Sequence, residues 1–205
     1  MRLIKTLLCG GAIALSGCVS LLPDAAPADV IYRLGVIKLG VPQSPSAKVI
    51  RIDRPRASAS FQGKDIIVSP DGRRLASAAQ AKWAESIPDM VQGSFVNLLG
   101  QRAGLVGVIP SSGARTDTRV HLTIKSFEAR FDQGEAAAPN AVVHYSVTLS
   151  NASDRKLLGT YDIKKTVRSS DIRVSTIVEA MDKANQQALN SIADWLETPE
   201  VRGKV

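Results

Sequence analysis

The sequence predicts an α/β domain: a single mixed sheet, largely antiparallel, packed by two main helices. Three observations carry this reading. Apolar residues alternate with period two in residues 120–124 and 143–149, and residues 157–167 return with Tyr161, Ile163 and Val167 on one face, the pattern of half-buried strands in a meander. Two longer stretches repeat their apolar residues at helical spacing instead. An apolar segment at residues 105–109 separates the first helix from the meander. Strands and helices therefore interleave, and a sheet with helices against it is the economical packing.

In chain order, residues 31–34 lead into Val36 and Ile37 as a first strand, and residues 49–52 form a second that ends at Pro55. Residues 65–68 run into Ser69-Pro70-Asp71-Gly72, a turn sequence, and residues 73–77 make a short return. The first helix starts at Trp83 or Ser86 and runs to Arg102. Ser86 suits the N-cap, and Pro88 suits the first turn, where its missing N–H is not needed. Ile87, Met90, Val91, Phe95, Leu98 and Leu99 form its apolar stripe, and Gly104 marks its end. The strands before and after this helix are expected to be parallel neighbours through a right-handed crossover.

Phe127, Ala129 and Phe131 continue the strand at 120–124 out of phase, which requires a bulge near Lys125 and Ser126. Residues 132–141 read as a long hairpin loop. In the next strand Val143, Tyr145, Val147 and Leu149 face in, while His144, Ser146 and Thr148 face out. After a turn at 151–154 and the last strand, a second helix spans about residues 175–196, with Ile177, Met181, Ala184, Ala188, Ile192 and Trp195 on its packed side. Residues 198–205 follow a helix stop near Pro199 and are expected to fray.

The N-terminus reads as a targeting segment. Arg2 and Lys5 precede an apolar run to Leu15 that falls short of the roughly 20 residues needed to span a bilayer. Leu15-Ser16-Gly17-Cys18 resembles a bacterial lipobox. That resemblance implies cleavage before Cys18, a diacylglycerol on its sulfur and acylation of the new N-terminus. Residues 1–17 are then a signal peptide, 18–29 an acylated Cys and a flexible Ala/Pro/Asp-rich tether, and 30–197 one domain. Cys9 leaves with the signal and Cys18 is capped, so no internal disulfide forms and the fold relies on its core. Losing Arg2 and Lys5 lowers the formal charge from +7 to +5. That scattered excess, in an envelope compartment, excludes nucleic acid as a partner and leaves acidic lipid head groups or an acidic protein. Val19, where Asp would signal retention in the inner membrane, favours the outer membrane, facing the periplasm.

With the lipobox in place, the order of features resembles the ABC-type transport auxiliary lipoproteins, the PqiC-like family. The features are Tyr32-x-Leu34 after the tether, an apolar strand at residues 49–52, and a strand–turn leading to Trp83-Ala84-Glu85 and a Leu-rich helix. An Ala-rich helix ending in Trp195-Leu196 closes the series. Residues 72–82 depart from the family's usual aromatic-rich stretch. The resemblance implies a three-layer, αβα-like fold and a non-enzymatic subunit of an Mce-type lipid transport system. Its expected partners are an MCE-domain periplasmic protein and, through it, an ABC permease and ATPase, with homo-oligomer formation left open. Tyr32, Trp83, Arg73 and Arg74 are the candidate partner-interface residues, although Trp83 reads first as a core anchor at the helix start and only second as part of an interface.

Catalytic chemistry finds no foothold. His121 and His144, the two histidines, read as solvated residues on the polar faces of strands, and no Gly-x-Ser-x-Gly elbow occurs. Ser111-Ser112-Gly113 reads as a turn. No Cys/His/carboxylate cluster of metal-ligand type and no Walker-type phosphate loop is present, so neither metal nor cofactor is expected. Basic residues gather as Arg51/Arg54/Arg56, Arg73/Arg74 and Lys164/Lys165/Arg168. A free-standing lipid carrier and an envelope-stabilising lipoprotein are the alternative functions.

Overall fold

The longest strand sets the architecture. In the computed structural model, which describes residues 27–35, 44 and 46–205, Thr118–Arg130 (β7) runs through the middle of a nine-stranded mixed sheet. The expected signal segment, Cys18, the expected tether up to residue 26 and the Val36-Ile37 end of the first expected strand lie outside the described residues. On one side β7 pairs antiparallel with Asn140–Asn151 (β8), which pairs antiparallel with Leu157–Arg168 (β9). On its other side three short strands follow one another along its length, all parallel to it: Lys48–Ile52 (β2), Arg56–Ala57 (β3) and Asp65–Ser69 (β4). Leu105–Val108 (β6) extends the sheet beyond β2, and Ala76–Trp83 (β5) then Val30–Tyr32 (β1) extend it beyond β4.

The expected bulge is present. Register shifts between Ile124 and Ser126, so Val120, Leu122 and Ile124 before it and Phe127 and Ala129 after it all face the core. One extra residue offsets the period-two mismatch. The turn after β4 also forms as expected, with Gly72 at φ 75°, where an L side chain would be strained.

Helix Ile87–Leu99 (α1) starts at the expected cap: Ser86 accepts from the Asp89 backbone N–H, and Pro88 sits in the first turn. It begins after Trp83, which ends β5, and it stops at Gly100, ahead of the expected Arg102. Helix Val174–Glu197 (α2) lies across β8 and β9, burying Ile177, Met181, Ala184, Ala188, Leu189 and Ile192. The Tyr145 hydroxyl donates to Asn185 Oδ1 at 2.7 Å in this interface. Burial pushes the Tyr145 phenol well up, so it stays protonated and donates. Arg102 joins the two helices, its Nη1 2.7 Å from both Asp194 and Glu197 and its Nη2 3.0 Å from Asn190.

The mixed α/β class with two main helices is borne out, and four details differ from expectation. First, β5 and β6 are not parallel neighbours. Both edges of β5 are taken, by β1 and β4, so β6 finds its parallel partner in β2. Second, the third layer implied by resemblance is not supplied by either main helix. A side chain at Gly107 would meet Leu99 and Val96 of α1 and Ile52 of β2; Ile50 and Ile52 share a face with Thr118 and Val120, hence with Leu149 and Tyr145 under α2. Both helices therefore cover one face, and they touch each other. Third, Trp195 is half-buried and stacks on Tyr161 of β9 with ring centroids 5.4 Å apart and the planes 8° from parallel. Fourth, the expected frayed tail is docked. Thr198 breaks α2 with extended backbone, Pro199–Arg202 (α3) follows with Val201 buried, and Lys48 Nζ donates to the Arg202 and Val205 carbonyls at 2.7 Å.

Candidate docking surface

Two of the four candidate interface residues meet. In the parallel β1–β5 ladder Tyr32 lies beside Trp83. The Tyr32 carbonyl accepts from the Ala84 N–H at 2.7 Å, and Trp83 donates its own N–H to Lys64 at 2.7 Å. Tyr32 is half-buried at the edge of the core. Trp83 is 0% exposed and meets Phe127 edge to face at 5.9 Å. Burial supports the core-anchor reading of Trp83, and it leaves Ala84 and Glu85 of the same tripeptide exposed on the surface.

That surface is a cleft of about 230 Å³ between the segment after β1 and α1, lined by Arg33, Leu34, Glu85, Met90, Ser94 and Asn97 among others. Gly35 closes it against α2, where a side chain would come within 2.5 Å of an Asp182 carboxylate oxygen. Beside the cleft β1 is an edge strand, anchored by an Asp29–Lys82 ion pair at 2.9 Å, and it exposes Val30 (54%) and Ile31 (60%). Sequence reasoning did not single out these two residues. As apolar strand residues they read as core, and only their place on a three-residue edge strand leaves them in solvent.

Arg73 and Arg74 are not part of this cleft. They sit in the β4–β5 turn, with the length of β5 between them and Trp83. Asp71 holds the turn, accepting from the Arg73 and Arg74 N–H groups at 2.9 and 2.8 Å and pairing with the Arg74 guanidinium at 2.8 Å. The Arg74 and Arg73 backbone donors hold its carboxyl down at about 2. The remaining basic groups also separate. Arg54 turns to the N-terminus of α1, where it hydrogen-bonds Ser86 at 3.0 Å and pairs with Asp89; that guanidinium lowers the Asp89 carboxyl. Arg51 and Arg56 go to the face of the sheet away from the helices.

The histidines lie on that face, away from the two main helices, and His121 differs from the solvated reading. His144 Nε2 is 2.7 Å from Asp162. His121 is half-buried and its Nε2 has no partner; burial lowers its imidazole, helped by the Arg56 charge. Ser111 and Ser112 belong to a 3-10 turn ended by Gly113 at φ 71°, as a turn reading requires. Among the described residues no three His, Cys, Asp or Glu side chains gather as metal ligands, and no helix is long and apolar enough to cross a membrane.

The chain is similar to several solved structures. Protein XCC0632 from Xanthomonas campestris, of the DUF330 family model, matches with TM-score 0.72 at 20% identity, over 81% of this chain and 93% of that one. An uncharacterized protein matches at TM-score 0.67 and 13% identity, over 83% and 100%. Hypothetical protein CT253 from Chlamydia trachomatis matches at 0.51 and 8%, over 75% and 98%. At these identities the likeness is one of fold. No curated protein matches in sequence. The family model of the ABC-type transport auxiliary lipoprotein component matches residues 32–193, from the Tyr32 that ends β1 to the last turns of α2. The chain belongs to that family of transport lipoproteins, which associates it with the cell envelope.

Proposed function

We propose that this protein is a non-catalytic docking subunit of an Mce-type ABC transport system that moves lipid between the inner and outer membranes. The observation that carries this reading is the family match across residues 32–193. Lipid on Cys18 anchors it, and Val19 directs it to the outer membrane, facing the periplasm. Its partner is an MCE-domain periplasmic protein and, through that protein, the ABC permease and ATPase.

The partner seats on the β1 edge and the cleft beside α1. Tyr32 contributes its half-exposed ring, and Trp83 braces the strand end from beneath. Arg73 and Arg74, exposed at the far end of β5, make a separate electrostatic contact. Docking is favoured over carriage of acyl chains because the space between helices and sheet is filled: Trp83, Phe95, Phe127 and Tyr145 are all fully buried there.

Photo-crosslinking residues placed at Ile31, Glu85 and Ser94, and separately at Arg73, in the membrane-anchored protein test this. Trapping an MCE-domain protein from all three is the expected result. Trapping from Arg73 alone would move the interface, and the absence of any MCE-domain adduct would overturn the reading. Metabolic lipid labelling of Cys18→Ala, followed by membrane fractionation, checks the anchor separately: label retained by the variant would show that Cys18 is not acylated.

A further inference from the structure

The face of the sheet away from the helices carries an organised cationic patch. Arg51 of β2 and Arg119 of β7 are register partners. They share one carboxylate, Asp53, with Arg51 Nε at 3.0 Å and Arg119 Nη1 at 3.8 Å. Arg119 Nε also donates to Ser150 at 3.1 Å, which fixes its fork. Arg56 is exposed, next to Thr123 in the β3–β7 ladder, and makes no ion pair among the described residues. His121 lies among them with its Nε2 buried and unpartnered. Two guanidiniums thus share one carboxylate and a third stands apart from it on the same face, and several of their donors are unspent, since each guanidinium carries five N–H groups.

Apolar residues flank the charges. Val49 and Val106 pair across β2 and β6, Val108 lies beside Arg51, and Leu157, 59% exposed, lies opposite Ser150. Among the described residues neither main helix covers this face. We propose that it docks flat on an anionic phospholipid surface, with Arg51, Arg56 and Arg119 taking head-group phosphates and the valines resting at the acyl boundary.

The chemistry favours lipid over an acidic protein in two ways. Guanidinium forks match phosphate oxygens in paired geometry. A broad sheet face with apolar and cationic residues interspersed also suits a planar interface, where basic residues and apolar contact act together. The chain length permits it. Eleven residues lie between Cys18 and Val30, a reach of up to about 40 Å, so an anchored N-terminus leaves the far side of the sheet free to turn to the membrane. The inference goes beyond the docking role proposed above and stands without an MCE-domain partner.

Flotation with vesicles tests it, using residues 18–205, the chain without its expected signal, carrying Cys18→Ala so that neither an acyl chain nor the apolar signal inserts. The protein is expected to float with phosphatidylglycerol/phosphatidylethanolamine vesicles at low salt, to be released at high salt, and to ignore phosphatidylcholine vesicles. Arg56→Gln with Arg119→Gln is expected to weaken binding about tenfold or more. Arg56→Glu, a change at an exposed and unpaired site, is expected to weaken it comparably while leaving thermal unfolding unchanged. Arg73→Gln with Arg74→Gln removes the same charge elsewhere and is expected to bind like the parent. Equal binding to phosphatidylcholine, parent-like binding by the Arg56 variants, or equal loss with the Arg73/Arg74 pair would each overturn the proposal. Parent-like vesicle binding by the Arg56 variants, together with loss of a crosslink to an acidic envelope protein, would assign the face to that protein instead.

Discussion

The two faces of the sheet follow different rules. On the helix side Ile50, Leu122, Phe127, Tyr145 and Leu149 are fully buried, and the Tyr145 hydroxyl donates to Asn185 Oδ1 within the interface at 2.7 Å, while Asn185 Nδ2 has no partner among the described residues. On the open side the same strands carry Arg51, Arg119, His121 and His144, half-exposed, with Asp53 and Asp162 as counter-charges. Burying one large apolar side chain contributes about 1.5–3 kcal/mol, whereas a surface ion pair contributes at most about 1 kcal/mol. The comparison teaches that stability resides on one face, which leaves the other free to be shaped for recognition.

Breaking the covered face should have the largest effect. Trp83→Ala empties the position between β1, Phe127 and the start of α1, and is expected to cost about 3–5 kcal/mol, read as a lower urea midpoint. Tyr145→Phe should cost about 1–3 kcal/mol, because Asn185 loses its hydroxyl donor and stays buried; the same urea titration reads it. Ser86→Ala removes the α1 cap and a contact of Arg54, with an expected loss of about 1 kcal/mol and a modest fall in Tm.

The open face should respond to pH more than to truncation. His121 titrates below its ordinary 6.5 in the folded protein because burial disfavours the charged form. The unfolded chain therefore binds the proton first. Stability is fully present above pH 6.5 and declines as pH falls toward the lowered folded value. His121→Gln should flatten the profile of unfolding free energy against pH in that window, while thermal unfolding at neutral pH changes little. A variant that keeps the parent's slope would show that His121 is not the titrating group.

Much of the fold is legible in local pattern. The Ser86 cap, the Lys125–Ser126 bulge, the Gly72 turn and the inward set of β8 all rest on residues within a few positions of one another. The site is legible only in part. Tyr32 and Trp83 are recognisable as notable residues, but their adjacency depends on a parallel ladder between strands about fifty residues apart. Arg51, Arg54 and Arg56 look like one basic cluster, and the chain turn at Pro55 sends Arg54 to α1 and the other two to the open face. Asn185, buried among alanines of α2, carries no local signal. It is buried because Tyr145 stands beneath it.

By itself the sequence determined the elements, their caps and breaks, and which residues of the meander face in, because backbone hydrogen bonding and side-chain periodicity act over short separations. Only the tertiary structure decided that β6 joins β2, that both helices share one face, that Trp195 stacks at the surface and that the tail docks. Those outcomes depend on which sheet edges remain free and which side chains meet once distant segments compete for the same space.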